Sequence, residues 1–422
     1  MYHCSFRARE FAIVMSPTLV DLVKAKAADE GARAEYPEGF PSLPPVPAAR
    51  YADPAFAALE WERVFERTWL MVGHVDEVRE FGDYRLVDQL GDRIFLVRDE
   101  DNRIRAFRNT CMHRGAALVT DRAGHTGRRL TCPYHSWVYA LDGQLKGYPE
   151  PNNFNGLDGE CVALKDIRCE TWGPLVFVNF DPDAAPLAEY LGAVGRDLSE
   201  LADMASRLSL VDHHSLDVDV NWKFPVDANI ETYHVNTVHR DTAAKLLDQS
   251  TTGIQLLANG HSRMFISNRG GRSIADMLPF PPLFDGVGDL PETGTFSYHL
   301  FPNLSVVFSG RGFMFFITNW PASPGSSSYH IHFCSSLASD GDDALKTNRD
   351  FAEINRAVLL EDLSVLPGMQ RSVDTGALDS VRLSYQERRI YHLHESIDRA
   401  IGVDDIPEHL RVEPVLGDHV EA

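Results

Sequence analysis

Cysteine is scarce, with six residues in a chain of 422, too few to staple a chain of this size as a disulfide scaffold. No apolar run reaches the length of a membrane span, and the basic start MYHCSFRAREFAIVM lacks the apolar stretch of a secretory signal. Positive charge is in deficit: 40 Lys and Arg stand against 61 Asp and Glu, a formal charge of -21, with no clustered basic stripe. Nucleic acid and anionic membrane are thereby poor partners. Also missing is a glycine-rich dinucleotide turn on a strand–helix unit. Gly286-Val-Gly288 and Gly310-Arg-Gly312 are isolated Gly-x-Gly matches in loop and strand context. No internal repeat is present. The expectation is a cytoplasmic protein, with Met15 of MSPTLVDLVKAK as its natural start.

What is present is an ordinary globular composition, 44% hydrophobic and 24% charged, in a chain long enough for two cores. Residues 18–30 read as a short helix, and PSLPPVP (41–47) reads as a linker because proline blocks regular pairing. Phe56, Leu59, Val64 and Phe65 recur at helical spacing within 53–69. YRLVDQL, RIFLVRD, IRAFRNT and PLVFVNF alternate as strands between turn residues. TFSYHLFP, LSVVFSG, FMFFITNW and SYHIHFCSS then suggest an antiparallel sheet, with PASPGSSS as a hairpin loop. Long helices follow near 344–366 and 380–400. The predicted fold class is α+β. The predicted division is a helical and linker segment (1–60), an all-β unit (61–182) and an α+β unit (183–422).

Two metal-binding patterns stand out. Cys111-Met-His113 and Cys132-Pro-Tyr-His135 each place a thiolate and an imidazole on one loop. Zinc takes two Cys and two His, but its common finger spacing pairs Cys with Cys and His with His. A Rieske [2Fe–2S] cluster puts two Cys on one iron and two His on the other, which suits mixed loops.

The second pattern lies in 221–239, where Asp227, Glu231, His234 and Val238 share one face of a helix predicted over 226–239. His239 lies about 140° around an ideal helix from His234, so the helix must distort or end between them for both to meet one metal. In 349–366, Phe351, Ile354, Val358, Val365 and Leu366 define a predicted apolar face, with Asp362 in its middle and Glu361 at its rim. A carboxylate there needs a cation or donors. Two His plus Asp362 make a 2-His-1-carboxylate triad with open positions on Fe(II). His213 and His214 are expected to be exposed. His330 and His332 share a strand face but are weak evidence for metal.

CMHRGA, CPYHSWVY and NWK followed by Glu-x-Tyr-His-x4-His resemble the large subunit of Rieske non-haem iron ring-hydroxylating oxygenases, from about residue 60 to 400. Ser136 departs from the family's commoner glycine, and Asp227-Ala departs from its usual Glu-Asn pair. The resemblance implies a Rieske domain followed by a catalytic domain of START-like helix-grip form. It implies a [2Fe–2S] cluster on Cys111, His113, Cys132 and His135, and Fe(II) on His234, His239 and Asp362. By position, Glu231 would bridge to His135 of a neighbouring subunit in a homotrimer, with or without a beta subunit, and Asp227, at the acidic or Asn position before it, is the second candidate catalytic residue. A separate NAD(P)H-dependent reductase, with or without a ferredoxin, would supply electrons. The implied reaction is O2-dependent hydroxylation of a small, by default aromatic, molecule. O- or N-demethylation and quaternary-amine oxidation are alternatives. A Rieske electron carrier without catalytic iron, an inactive START-like binding module and a zinc-stabilised structural protein are the rivals from other classes.

Overall fold

The computed structural model describes residues 18–91, 94–157, 162–274, 285–310, 312–337 and 341–421; Met15 lies outside them. Helix α1 (Leu19–Ala32) starts at a capping box in which Thr18 and Asp21 satisfy each other's backbone. Asp53 caps α2 (Pro54–Leu59), with Pro54 in the first turn. The chain then widens into a π-helical turn, Glu60–Phe65, so the predicted 53–69 helix is shorter and irregular.

The first β unit is a seven-stranded sheet in the order Leu70–His74, Leu175–Asn179, Asp166–Trp172, Ile104–Arg108, Ile94–Arg98, Asp83–Leu86 and Ala123–His125. A three-stranded sheet (Arg129–Thr131, Val138–Ala140, Leu145–Gly147) stands beside it. The second unit opens with α3 (Leu187–Asp197). Its eight-stranded sheet runs Ser209–Val218, Ser326–Ser335, Phe313–Ser323, Leu304–Phe308, Gly294–Leu300, Ser262–Ser267, Gly253–Leu257, Val420–Glu421. Only the last of those pairings is parallel. The four aromatic-rich runs pair antiparallel as expected, and PASPGSSS becomes a tighter hairpin because strand continues to Ser323 and resumes at Ser326.

The predicted 226–239 helix is two short ones, α4 (Lys223–Asn229) and α5 (Val235–Val238). Helix α6 (Leu290–Thr293) precedes the aromatic strands. The expected 344–366 helix is α7 (Asp342–Leu363), followed by a separate α8 (Leu366–Asp374) with Pro367 in its first turn. The closing helix α9 (Arg388–Ile401) starts later than expected and is buried along most of its length.

The two units share their cores. Leu70, Val72 and Val176 of the first sheet pack in one cluster with Trp222, Ile390 and Leu393 of the second unit. Met71, Leu175 and Phe177 join Phe296, Tyr298 and Phe316 in another. Burial of side chains this large is worth about 1.5–3 kcal/mol each, so the junction is part of the folded interior. None of the described helices is long and apolar enough to cross a membrane.

Candidate metal centres

The two cysteine–histidine loops have the same backbone design. In the first, the Gly115 N–H donates to Cys111 O at 2.9 Å and the Cys111 N–H to Ala116 O at 2.8 Å. In the second, the Ser136 N–H donates to Cys132 O at 3.0 Å and the Cys132 N–H to Trp137 O at 2.8 Å. Each loop therefore needs a left-handed residue four places after its cysteine: Gly115 at φ 79° and Ser136 at φ 54°. Cys111 and Cys132 are free thiols buried at 1% and 2% exposure, whereas His113 and His135 are half-buried beside exposed Arg114 and Tyr134.

The histidine rings stand 4.7 Å apart, and His113 stacks on buried Trp137 at 4.9 Å and 5°. Tyr148 and Phe154 close the aromatic wall. The Nδ1 atoms of His113 and His135 are buried without a hydrogen-bond partner, an unfavourable state for bare imidazole. Burial raises the Cys111 thiol, which also lies 3.3 Å from the Tyr139 hydroxyl. Two free thiols and two unpartnered Nδ1 atoms on facing loops fit a [2Fe–2S] cluster. Sulfur sits toward the core and imidazole toward the surface.

The second centre joins three elements. The chain leaves α4, passes through a non-helical stretch carrying Glu231, and re-enters a helical turn at His234. A break thus comes before His234, and α5 ends at Val238, so the helix also ends between the histidines as predicted. The single turn of α5 then brings His239 back beneath His234, with the His239 N–H bonded to Val235 O at 3.1 Å. Asp362 arrives from α7. Its Oδ1 is 3.3 Å from His234 Nε2 and 3.0 Å from His239 Nε2, and the two Nε2 atoms are 3.2 Å apart. Ligands about 2.1–2.2 Å from a metal at right angles lie about 3.0–3.1 Å apart. The three donor atoms therefore already form one face of an octahedron.

Carboxylates hold both imidazoles from behind. Glu231 Oε1 accepts from His234 Nδ1, while its Oε2 takes the backbone N–H of Tyr233 and His234. Glu361 Oε2 accepts from His239 Nδ1 at 2.7 Å and from the Thr242 hydroxyl at 2.7 Å. Each ring is thereby fixed with Nε2 toward Asp362. Burial opposes charge on His234, but hydrogen bonds to Asp362 and Glu231 outweigh it and lift it to about 10. Asp362 is held below the usual carboxylate range: burial opposes this, and both histidines overcome it. So much negative charge around two imidazoles calls for a cation.

Asp227 does not join this triad. It is buried, its Oδ2 accepts from Tyr51 at 2.6 Å, and burial pushes its carboxyl up to about 8. Tyr51 continues to His394 Nε2 at 2.8 Å, and His394 Nδ1 accepts from Arg50 at 3.0 Å. Beside it, Lys223 pairs with buried Glu60 at 2.8 Å.

Sequence reasoning missed Glu361 as a partner of His239. Its only signal was an acidic pair at the end of a helix. The apolar face predicted over 349–366 is corrected in part: Ile354 of α7 and Val365 beyond its end are 63% and 47% exposed, Phe351 and Leu366 pack inward, and the buried residues of α7 are Asn348, Ala352 and Asp362. His213, expected to be exposed, is instead packed against Glu77 and His330.

Residues 68–168 match the Rieske [2Fe-2S] domain, and residues 205–402 match the ring hydroxylating alpha subunit catalytic domain. The chain belongs to the Rieske oxygenase family. It is 33% identical over 207 residues to the carnitine monooxygenase oxygenase subunit of Escherichia coli K12, covering 48% of this chain but only 55% of that protein. Choline monooxygenase of Beta vulgaris is 28% identical, over 90% of this chain and 83% of its own. A solved quaternary ammonium Rieske monooxygenase shares the fold, with a TM-score of 0.73 and 22% identity over 87% of this chain and all (100%) of that one.

Proposed function

We propose that this chain is the oxygenase component of a Rieske system that hydroxylates a small quaternary ammonium compound. The observation that carries oxygenase chemistry is the triangle of His234, His239 and Asp362, whose ligand atoms converge on one point. We assign 1–60 to a helical and linker segment, 61–182 to the cluster unit and 183–422 to the iron unit. Cys111, Cys132, His113 and His135 hold the cluster. His234, His239 and Asp362 would hold Fe(II), which would supply O2 activation there.

The balance is one C–H bond, one O2, two electrons and two protons in, and one alcohol and one water out. This chain's residues position and exclude. Glu231 and Glu361 set the two imidazoles. The apolar layer between α7 and the sheet, including Phe315, Tyr329 and Phe333, keeps water from Asp362's flank. The quaternary ammonium class is supported by the carnitine and choline monooxygenases that the chain resembles.

The outward histidine edge of the cluster supports delivery to a second copy of the chain. The related quaternary ammonium enzyme is described with inter-subunit electron transfer. In this reading Glu231 bridges from His234 to His135 of a neighbour in a homotrimer, and Asp227 braces α4 behind it through Tyr51. A separate NAD(P)H-dependent reductase feeds the cluster, in a reducing, cytoplasmic setting that suits free thiols.

The test is O2 uptake by the iron-loaded protein with a reductase and NAD(P)H, across quaternary amines and aromatic compounds. Uptake matched one-to-one by hydroxylated amine supports the reading. Product from aromatics alone would restore ring hydroxylation, and no product with either would leave an electron carrier.

A further inference from the structure

A second group of metal-type donors lies at the junction of the two units. Glu77, in the turn after strand Leu70–His74, meets His213 of strand Ser209–Val218 and His332 of strand Ser326–Ser335. Their donor atoms all lie within 4.8 Å of one another. The arrangement follows from sheet register: His213 and His332 are direct cross-strand partners, so both side chains leave the same face. His330, two residues along, shares that face and lies 3.1 Å from His213 Nε2.

As it stands, the group is not satisfied. His332 is 1% exposed, yet neither ring nitrogen has a hydrogen-bond partner. A buried imidazole in that state is unfavourable, because its nitrogens have given up water without gaining a partner. His332 Nε2 lies 3.8 Å from Glu77 Oε2. That gap is too long for a hydrogen bond and too short to seat a water between the two atoms. It is near the edge of a metal polyhedron, since ligands about 2.0–2.1 Å from a tetrahedral ion lie about 3.3–3.4 Å apart.

Arg85 bears on which ion could bind. Its Nε lies 3.0 Å from Glu77 Oε1, which His213 Nδ1 also approaches at 3.1 Å. The His74 N–H donates to Oε2 at 2.8 Å. The carboxylate is therefore held in place and largely neutralised. Ca2+ or Mg2+, which need several anionic or carbonyl oxygens, gain little here. An imidazole-preferring ion such as Zn2+ fits the donor set.

We propose that Glu77, His213 and His332 form a third metal site, for a divalent ion of the zinc class, that fastens the cluster unit to the catalytic sheet. Loading turns one imidazole, because the His213 and His332 rings are stacked at 3.9 Å and 18° and near-parallel rings cannot aim at one ion. His330 is the available fourth donor once its contact with His213 is released.

The experiment is zinc retention by the full-length protein loaded with both the cluster and Fe(II) at His234, His239 and Asp362, measured by elemental analysis after incubation with Zn2+ and desalting. About one zinc per chain and a rise in Tm are expected, as for any ligand that binds the folded state alone. Asp362→Ala should keep that zinc. His332→Gln and Glu77→Gln should each lose it while retaining the cluster's EPR signal, which reports folding. X-ray absorption at the zinc edge of the unmodified protein should show nitrogen and oxygen neighbours without sulfur, a readout independent of any variant. Zinc lost with Asp362→Ala, sulfur in the zinc shell, or no retained zinc would each overturn the proposal.

Discussion

The Nδ1–H of His239 donates to Glu361 Oε2 across 2.7 Å, although 122 residues separate the two in sequence. The Thr242 hydroxyl donates to the same oxygen, so the carboxylate is clamped as it clamps the ring. Removing such an outer partner weakens metal binding about 10–100-fold. Glu361→Ala should lower iron affinity by that factor in chelator competition, with the cluster's EPR unchanged. Glu361→Gln, which can still accept from Nδ1, should lose less. Equal iron affinity in all three proteins would remove Glu361 from the site.

Ser136 carries a side chain at φ 54°, where its counterpart in the other cluster loop is Gly115. A left-handed conformation costs an L-residue about 1–2 kcal/mol relative to glycine. Ser136→Gly should therefore raise stability by about 1 kcal/mol, less what glycine's freedom in the unfolded chain takes back. Thermal unfolding with the cluster loaded reads it, and a lower Tm would contradict the account.

Lys223 and Glu60 form a pair with 0% and 2% side-chain exposure, and Trp222 Nε1 donates to the same carboxylate at 3.1 Å. Breaking a buried pair from one side costs about 3–5 kcal/mol, whereas replacing both partners with apolar side chains is often neutral. Lys223→Met should thus destabilise strongly, and Lys223→Met with Glu60→Leu should recover much of the loss. Denaturant midpoints of the two variants provide the comparison.

Burial lifts Asp227 to about 8, far above the roughly 3.9 of an unfolded aspartate. Between those values the folded chain holds a proton that the unfolded chain has released. The stability it contributes is complete below about pH 4 and is lost as pH rises through about 8. Asp227→Asn removes this titration while keeping an acceptor for Tyr51. Its Tm relative to the unmodified protein should climb from pH 6 to pH 9, and a constant difference would show that Asp227 does not titrate there.

The cluster loops were legible because the ligands are local. All four fall between Cys111 and His135, and each loop closes on its own backbone. His234 and His239 were legible for the same reason, although the helix drawn through them was wrong. That stretch is set by Glu231 turning back onto the Tyr233 and His234 amides, a local bond that competes with the helix ladder. Asp362 was found because a carboxylate on an inward helix face needs a reason to be there. The partners that depend on distant chain crossings were not legible: Tyr51 reaches Asp227 across 176 residues, and Glu77 reaches His213 across 136. An adjacent pair such as His213 and His214 reads as surface until a sheet sends one of them inward.

The interleaved interior has a kinetic corollary. A redox group on a flexible arm can swing between donor and acceptor, but strand Leu70–His74 is built into the same apolar mass as Trp222 and Ile390. Detaching it would mean partly unfolding both halves. Under the proposed function, a cluster held by this unit would be a fixed port, to which reducing equivalents would have to come by docking.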